Sequence, residues 1–294
     1  MLNIPKWIIS PLMFEDENDM PLVQILLEEG VAFSRVDSKK PAWEQLSSLN
    51  PEDWAGAFVY APFEVYRRVR ELLYPFGGIA LPFDADKLSY KNTVEAVPCA
   101  YPLNPTRLYT TWVQLKAGTV DYSNTKGCAP YTDTAGTPHR WAEPGSKVFV
   151  RSNSVTKTLP GQVIELEQRH FEALEDITSV QNDTEVVVCP PWVFPPEREE
   201  RWVVVNGKIV TGSTYMVNDR IKEEELLMSE SYAVEPFIKV LNSVIGSTPY
   251  TVDVARNRTQ TLLVEVNSLH CAGLYGCDLR AVVRAVNKQI QEQQ

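Results

Sequence analysis

The sequence contains no hydrophobic run that is long enough to cross a membrane. Apolar stretches such as residues 202–205 and 261–266 fall far short of the ~20 residues that a membrane-spanning helix needs. The N-terminus does not resemble a secretory signal, because a three-residue apolar run is followed at once by proline and acidic residues. We therefore expect no membrane partner and a cytoplasmic protein that starts at Met1.

Cysteine and net positive charge are also scarce. The five cysteines are an odd number and too few for a disulfide scaffold, and the spacing of Cys271 and Cys277 does not suit a zinc knuckle. We expect reduced, mostly buried thiols. The formal net charge of −10 argues against broad capture of a nucleic-acid backbone. None of the three histidines has an identifiable partner, so none is predicted to be catalytic.

What the chain does contain is enough apolar material for several packed units. Its 294 residues are 44% hydrophobic, which suffices for two or three subdomains. Residues 7–73 alternate short apolar strands with amphipathic helices, which indicates a small α/β layer. Residues 82–144 are irregular, and only one strand is predicted there, at 109–115. The predicted fold class is α/β, with an N-terminal subdomain over residues 1–90 and two α+β lobes over residues 91–294.

Strand signals are dense in the second half of the chain. The predicted strands are residues 147–152, 162–167, 185–189, 201–215, 251–255 and 261–267, and the predicted helices are residues 221–228, 233–244 and 278–289. Asn206-Gly207 splits the longest strand into a hairpin, because a type I′ turn needs positive φ at both central positions. Asp278 is a suitable N-cap for the last helix. An antiparallel sheet flanked by helices is the expected arrangement.

The segment TVDVARNRTQTLLVEVNS, residues 251–268, carries two carboxylates and an amide on one side of a predicted hairpin. Side chains alternate along a strand, so Glu265 and Asn267 share a face. If a connection centred on Thr259 closes the hairpin, Asp253 lies across from Glu265. Opposed carboxylates repel, and Mg²⁺ would neutralise them because it takes hard oxygen ligands. A solvated polar face would show the same alternation, so periodicity alone leaves both interpretations open.

Two further segments carry cations and an interrupted strand. The segment KVFVRSNSVTKTLPGQVIELE, residues 147–167, reads as strand, polar loop and return strand, with Arg151 ending the first strand and Lys157 in the loop. It lacks the pattern of a Walker A loop, and a charged hairpin would look the same. The double proline Pro190-Pro191 ends another strand and leaves backbone groups exposed, although proline itself has no amide hydrogen to donate.

Together these segments resemble the ATP-grasp superfamily. Asp253 followed by Glu265-x-Asn267 in an apolar strand is similar to its metal-binding signature. The loop with Arg151 and Lys157, and Arg201 further on, resemble an ATP-grasp clade of phages and bacteria that is defined by two arginines and a lysine. The resemblance implies an ATP-grasp fold, in which a small N-terminal pre-ATP-grasp subdomain precedes two lobes that clasp ATP.

The resemblance also implies roles for individual residues. The implied Mg²⁺ ligands are Asp253, Glu265 and Asn267; the implied phosphate-neutralising cations are Arg151, Lys157 and Arg201; and the implied adenine contacts come from the backbone of Val188, Cys189 and Trp192. Glu200 would bind the ribose, although an acidic run on a solvated loop is an equal alternative. Without ligand, we expect the three cations to converge, the lysine loop to be mobile, and the two arginines to hold an anion or a neighbouring carboxylate.

The implied activity is ligation of a carboxylate to an amine with ATP and Mg²⁺ as cofactors, through an acyl phosphate. The expected partners are small-molecule or peptide carboxylates and amines, with a homodimer left open, in the host cytoplasm if a phage encodes the chain. Two alternatives are phosphoryl transfer without ligation and a non-catalytic nucleotide-binding module. The presence of the whole metal triad and all three cations argues against the second alternative.

Overall fold

The structure is a computed structural model that describes residues 5–10, 13, 20–36, 50–98, 103, 106–121, 125–126, 145–156, 158–177, 180–190, 196–218 and 220–293. The described strands form three sheets, one of three strands and two of five. No helix in these ranges is both long and apolar enough to cross a bilayer. The cysteines among the described residues are free thiols, as expected for Cys189, Cys271 and Cys277.

The first sheet forms the N-terminal layer. Its elements are β1 Lys6–Ile9, α1 Met20–Glu28, β2 Ala32–Arg35, α2 Pro51–Trp54, β3 Phe58–Tyr60 and α3 Phe63–Leu73. The strands are parallel in the order β2-β1-β3. Parallel neighbours need crossover connections, and α1 provides one between β1 and β2. The small α/β layer predicted for residues 7–73 is confirmed.

The second sheet is antiparallel and has β8 at its centre. Its elements are α4 Tyr90–Ala96, β4 Arg107–Thr111, α5 Trp112–Lys116, β5 Thr125–Lys126, β6 Lys147–Ser152, β7 Gln162–Glu165, α6 Gln168–Ile177 and β8 Glu185–Cys189. The strand order is β5-β4-β8-β6-β7. Both neighbours of β8 therefore shield its backbone, and its side chains are buried on both faces from Val186 to Cys189.

The third sheet is antiparallel as well. Its elements are β9 Arg198–Val205, β10 Lys208–Val217, β11 Arg220–Glu225, α7 Glu235–Ile245, β12 Tyr250–Arg256, β13 Thr261–Ser268 and α8 Leu279–Glu292. The order is β11-β10-β9-β12-β13. Asn206 and Gly207 have φ of 48° and 72°, so the predicted hairpin turn is confirmed. The Asp278 side chain accepts from Ala281 N at 3.0 Å, which confirms the predicted N-cap.

Two predicted elements are wrong. The strand predicted at 109–115 ends at Thr111, because a capping box between Thr111 and Gln114 starts α5 at Trp112. The helix predicted at 221–228 is instead the edge strand β11, which pairs with β10. All six of its side chains are exposed, so no apolar periodicity marked it as a strand. The helices α4 and α6 were not predicted.

The third sheet is covered on both faces, and this determines where polar groups can lie. One face packs with the N-terminal layer and α8, where Trp7, Val203 and Val283 share a core. The other face carries Trp202 and packs against α3, α4, α7 and part of the second sheet, including Cys189. The second sheet keeps a separate core on its far side. Charged side chains between these layers therefore need partners of opposite charge.

Candidate active site

Asp253, Glu265 and Asn267 lie together on the outer strands of the third sheet. The β12–β13 ladder places Asp253 directly opposite Glu265, and Thr259 N donates to Asn257 Oδ1 at 2.9 Å in the connecting turn. The Asn267 amide nitrogen lies 2.9 Å from Glu265 Oε1 and 3.4 Å from Asp253 Oδ2. The predicted hairpin register and the predicted shared face are therefore confirmed.

Arg201 reaches this face from the neighbouring strand β9. The register pairs it with Asp253, and Nε and Nη2 donate to the two carboxylate oxygens at 2.7 and 2.6 Å. The third nitrogen, Nη1, donates to Gly273 O at 2.7 Å. Burial would lower the pKa of Arg201, but the charge of Asp253 outweighs it and raises that pKa. The pair is a buried, bidentate and permanently charged ion pair.

Arg151 approaches the same carboxylates from the second sheet. Its Nη2 donates to Glu265 Oε2 at 2.5 Å, and both side chains are mostly buried, at 11% and 12% exposure. Its guanidinium also lies 4.7 Å from the centre of the Tyr90 ring. Two sheets therefore face each other here, and both arginines hold a neighbouring carboxylate, as predicted. Lys157 lies outside the described residues.

The residues on this face fit a magnesium ion and an anionic ligand. Two carboxylates and an amide oxygen are hard donors of the kind that Mg²⁺ prefers. In the part of the chain that the structure describes, no three His, Cys, Asp or Glu side chains group as a metal site, so Asn267 has to be the third ligand. The buried Nε of Arg151 has no hydrogen-bond partner among the described residues, and a phosphate oxygen would supply one.

Arg107 is a further buried arginine that the sequence pattern did not single out. It lies on β4, and its Nε donates to Tyr109 Oη at 3.1 Å. Burial raises the pKa of the Cys189 thiol to about 12, and the positive charges of Arg107 and Arg151 oppose that rise. Both arginines are therefore near the end of β8. Alternation around Leu108 would have placed Arg107 and Tyr109 on one face, which is the signal that was available.

The predicted adenine contacts fare differently from one another. Val188 pairs with Leu108 on one side and with Val150 on the other. Its backbone groups therefore face neighbouring strands, and the prediction for Val188 does not fit this geometry. Cys189 is the last residue of β8, so its backbone remains a candidate contact. Trp192 lies outside the described residues.

Glu200 does not fit the ribose-binding role either. It lies on the opposite face of β9 from Arg201, because successive side chains of a strand alternate. Its carboxylate is fully buried and accepts from three donors: Arg198 Nε at 2.6 Å, Trp202 Nε1 at 3.0 Å and Arg256 Nη1 at 3.3 Å. A carboxylate enclosed in this way serves the start of β9 as a structural counterion.

The structural role of Glu200 can be tested by substitution. Glu200→Gln should lower the free energy of unfolding by about 3 kcal/mol, because two buried arginines lose their counterion. Urea unfolding measures this loss, and calorimetric titration should show unchanged affinity for Mg·ATP. Glu199→Gln is the matched control on the other face, with an expected cost of about 1 kcal/mol for one hydrogen bond. A folded Glu200→Gln variant with tenfold weaker nucleotide binding would return Glu200 to the site.

Two tyrosines lie beside Arg201 and were not predicted as site residues. The rings of Tyr215 and Tyr275 stack with their centroids 5.1 Å apart. The guanidinium of Arg201 lies 4.8 Å from the Tyr275 centroid and 5.8 Å from the Tyr215 centroid. Tyr215 Oη donates to Glu199 Oε2 at 2.5 Å. Burial, together with the charges of Asp253 and Glu199, raises the pKa of Tyr215, so its hydroxyl stays protonated.

His270 connects this site to the N-terminal layer. It follows β13 and is fully buried, with its ring nitrogens 2.6 Å from Val59 O and 2.8 Å from Leu81 O. Burial lowers the pKa of His270 to about 4, although both carbonyl groups oppose that shift. Its own carbonyl accepts from Ala61 N at 2.9 Å. His270 is therefore a structural link between β3 and the end of the strand that carries Glu265.

Comparison with known proteins agrees with this arrangement. The model of an ATP-grasp domain family, the second family of its clade, matches residues 129–285, which is more than half of the chain. Among solved structures, D-cycloserine synthetase DcsG aligns with a TM-score of 0.63 at 12% identity, over 98% of this chain and 100% of that one. D-alanine–D-alanine ligase from Bacillus anthracis, complexed with ATP, aligns with 0.54 at 12% identity, over 99% and 100%.

A third similar structure is the ATP-grasp ligase PsnB with a phosphomimetic variant of its minimal precursor, Mg and ADP. Its TM-score is 0.54 at 10% identity, over 99% of this chain and 100% of that one. The comparison with curated proteins finds no match. At such identities the structural likeness shows the fold and does not transfer a reaction. The family match and the fold together establish that this chain belongs to that family of ATP-grasp domains.

Proposed function

We propose that this protein is an ATP- and Mg²⁺-dependent ligase that joins a carboxylate to an amine. The observation that supports this best is the meeting of two carboxylates, Asp253 and Glu265, with two arginines from facing sheets. Carboxylates suit the metal, and arginines suit the phosphates that the metal accompanies. The similar structures of DcsG, D-alanine–D-alanine ligase and PsnB are ligases or synthetases by name, which favours the same class of reaction here.

In this proposal the metal-binding residues are Asp253, Glu265 and Asn267. Mg²⁺ bound there would offset the negative charge of the nucleotide phosphates. Arg151 and Arg201 donate to phosphate oxygens, which a planar guanidinium can bind in pairs. Lys157 adds a third cation, and Arg107 extends the positive surface toward the end of β8. The backbone of Cys189, with Trp192 beyond it, contacts adenine.

The residues of the chain act by position and charge. The substrate carboxylate attacks the γ-phosphorus, ADP leaves, and an acyl phosphate forms. The amine then attacks the acyl carbon, and phosphate leaves with the electron pair of the broken bond. Neither step needs a side-chain nucleophile, so the arginines contribute by stabilising the charge that develops on the transferred group. The carboxylate and the amine belong to small molecules or peptides.

The reaction class can be tested with pooled substrates. The protein is incubated with Mg·ATP, pooled carboxylates and pooled amines, and ADP release and new product masses are measured. Ligation should give a product with the summed mass of one acid and one amine minus water. Hydroxylamine should intercept the acyl phosphate as a hydroxamate when amines are left out. A stable phosphorylated product would instead indicate phosphotransfer, and no ADP above background in any pool would indicate a non-catalytic module.

Nucleotide binding itself should depend on the metal. Mg·ATP at about a hundred times its Kd should raise the free energy of unfolding by about 2.7 kcal/mol, because a ligand that binds only the native state stabilises it by mass action. A thermal-shift series with ATP, with and without excess EDTA, measures this effect. The shift should be small in EDTA, since Asp253 and Glu265 then face the phosphates without a cation. An unchanged melting temperature at millimolar Mg·ATP would refute nucleotide binding.

A further inference from the structure

We propose that Tyr215 and Tyr275 are positioning residues that orient the guanidinium of Arg201 toward the nucleotide. This inference rests on the proposed function, because it requires Arg201 to bind phosphate. Three observations carry it: an irregular ladder at Tyr215, an unusual backbone conformation at Tyr275, and the contacts that both rings make with Arg201. Each observation concerns a different part of the chain.

Tyr215 is the extra residue of a β-bulge. The register between β9 and β10 shifts between Thr214 and Met216, and the ladder between β10 and β11 shifts at the same place. A bulge adds one residue to a strand and redirects its side chains, and bulges are frequent next to active sites. Here the bulge lies in the strand beside Arg201, so the redirected side chain meets the guanidinium.

Tyr275 has a left-handed backbone conformation, with φ of 47°. A side chain with a Cβ in this region costs about 1–2 kcal/mol, and such strain tends to occur at functional sites. The next residue, Gly276, passes so close to β11 that a Cβ would lie 3.1 Å from the backbone of Glu223 and Glu224. The loop is therefore held against the sheet, and the strained conformation points the Tyr275 ring at Arg201.

The two rings hold Arg201 without using its hydrogen-bond donors. An aromatic face attracts a guanidinium through its quadrupole, so the N–H groups stay available for an anion. Gly273 O fixes one nitrogen from the same loop, and Glu199 anchors the Tyr215 hydroxyl. When a metal ion takes Asp253, these contacts still keep the guanidinium in place. Without them, a released Arg201 side chain would adopt many rotamers.

A double-mutant cycle separates positioning from a merely structural role. Tyr275→Asn removes the ring but tolerates the left-handed conformation, and Arg201→Lys keeps the charge but loses the fork. We expect Tyr275→Asn to weaken Mg·ATP binding roughly tenfold, a change typical of a well-buried cation–π contact, as measured by calorimetric titration. In the Arg201→Lys background, the same substitution should change the Kd less than twofold, because its effect passes through Arg201.

Conservative variants complete the test. Tyr275→Phe keeps the ring and should bind Mg·ATP as the wild type does. If Tyr275→Asn does not fold, Glu199→Gln loosens the Tyr215 anchor from outside the ring pair and should show the same dependence on Arg201. Equal fold-changes in both backgrounds, or a Tyr275→Phe variant as weak as Tyr275→Asn, would overturn the inference. Failure of the proposed function looks different, since the wild type itself would then not bind Mg·ATP, and both proposals would fall.

Discussion

Glu265→Gln should reduce ATP-dependent turnover by roughly a thousandfold. The substitution removes one of the two charges that face the metal at nearly constant volume, and a metal ion in such a site contributes several kcal/mol of charge stabilisation. Each 1.4 kcal/mol corresponds to a factor of about ten in rate. ADP release under saturating Mg·ATP measures the effect, and the pooled-substrate assay supplies the acceptors.

The control for this variant has to account for Arg151. Glu265 is its counterion at 2.5 Å, so Glu265→Gln leaves a buried cation without its ion pair and should also destabilise the protein. The double variant Arg151→Met/Glu265→Gln removes both charges. Its stability should recover toward that of the wild type, while turnover stays lost. If Glu265→Gln released ADP at the wild-type rate, Glu265 would not belong to the metal shell.

Arg201→Met should lower the free energy of unfolding of the ligand-free protein by about 3–5 kcal/mol. Its partner Asp253 is only 2% exposed, and removing one member of a buried pair leaves an uncompensated charge. Chemical denaturation measures this loss. Affinity for Mg·ATP should fall as well, because the fork that binds phosphate oxygens is gone. A stability within about 1 kcal/mol of the wild type would mean that another cation takes over as the counterion of Asp253.

The same variant makes a second, opposite prediction for Mg²⁺ alone. In the wild type, Arg151 and Arg201 already neutralise the two carboxylates, so Mg²⁺ without nucleotide should raise the melting temperature little. In Arg201→Met the carboxylate of Asp253 has lost its bidentate partner, so the ion binds more strongly and the shift should be larger. A MgCl₂ series at constant ionic strength tests this difference. Adding Asp253→Asn to Arg201→Met should abolish the gain, whereas equal shifts in wild type and variant would contradict it.

Most of the fold was predictable where burial and turns leave a local record. The Asn206-Gly207 turn and the alternation from Asp253 to Glu265 set the hairpins and their faces, because a one-residue slip would expose the apolar side of the strand. The edge strand at 220–225 left no such record, since hydrogen bonds to β10 form it without burial. The capping box at Thr111 was present in the sequence, and the apolar run around it favoured a strand instead.

The site was predictable to the extent that it lies on regular strands. Asp253 and Arg201 sit on the expected face, but the neighbouring acids Glu199 and Glu200 differ only in register, and only the ladder decides which one is buried with arginines. Tyr215 has a bulge behind it, so no period of two or 3.6 residues marks it. Tyr275 depends on a left-handed conformation that a tyrosine does not announce.

The pairing of the first strand with the last helix has a consequence for how the chain folds as it is synthesised. Trp7 Nε1 donates to Asn287 Oδ1 at 2.8 Å, and the N-terminal layer shares its core with Val283 and Val286 of α8. A ribosome therefore releases the first sheet long before its apolar covering exists. Contacts of such sequence separation form late, so the N-terminal layer stays incomplete until the final helix emerges. Chaperones have their longest opportunity to bind at residues such as Trp7, well away from the nucleotide clasp.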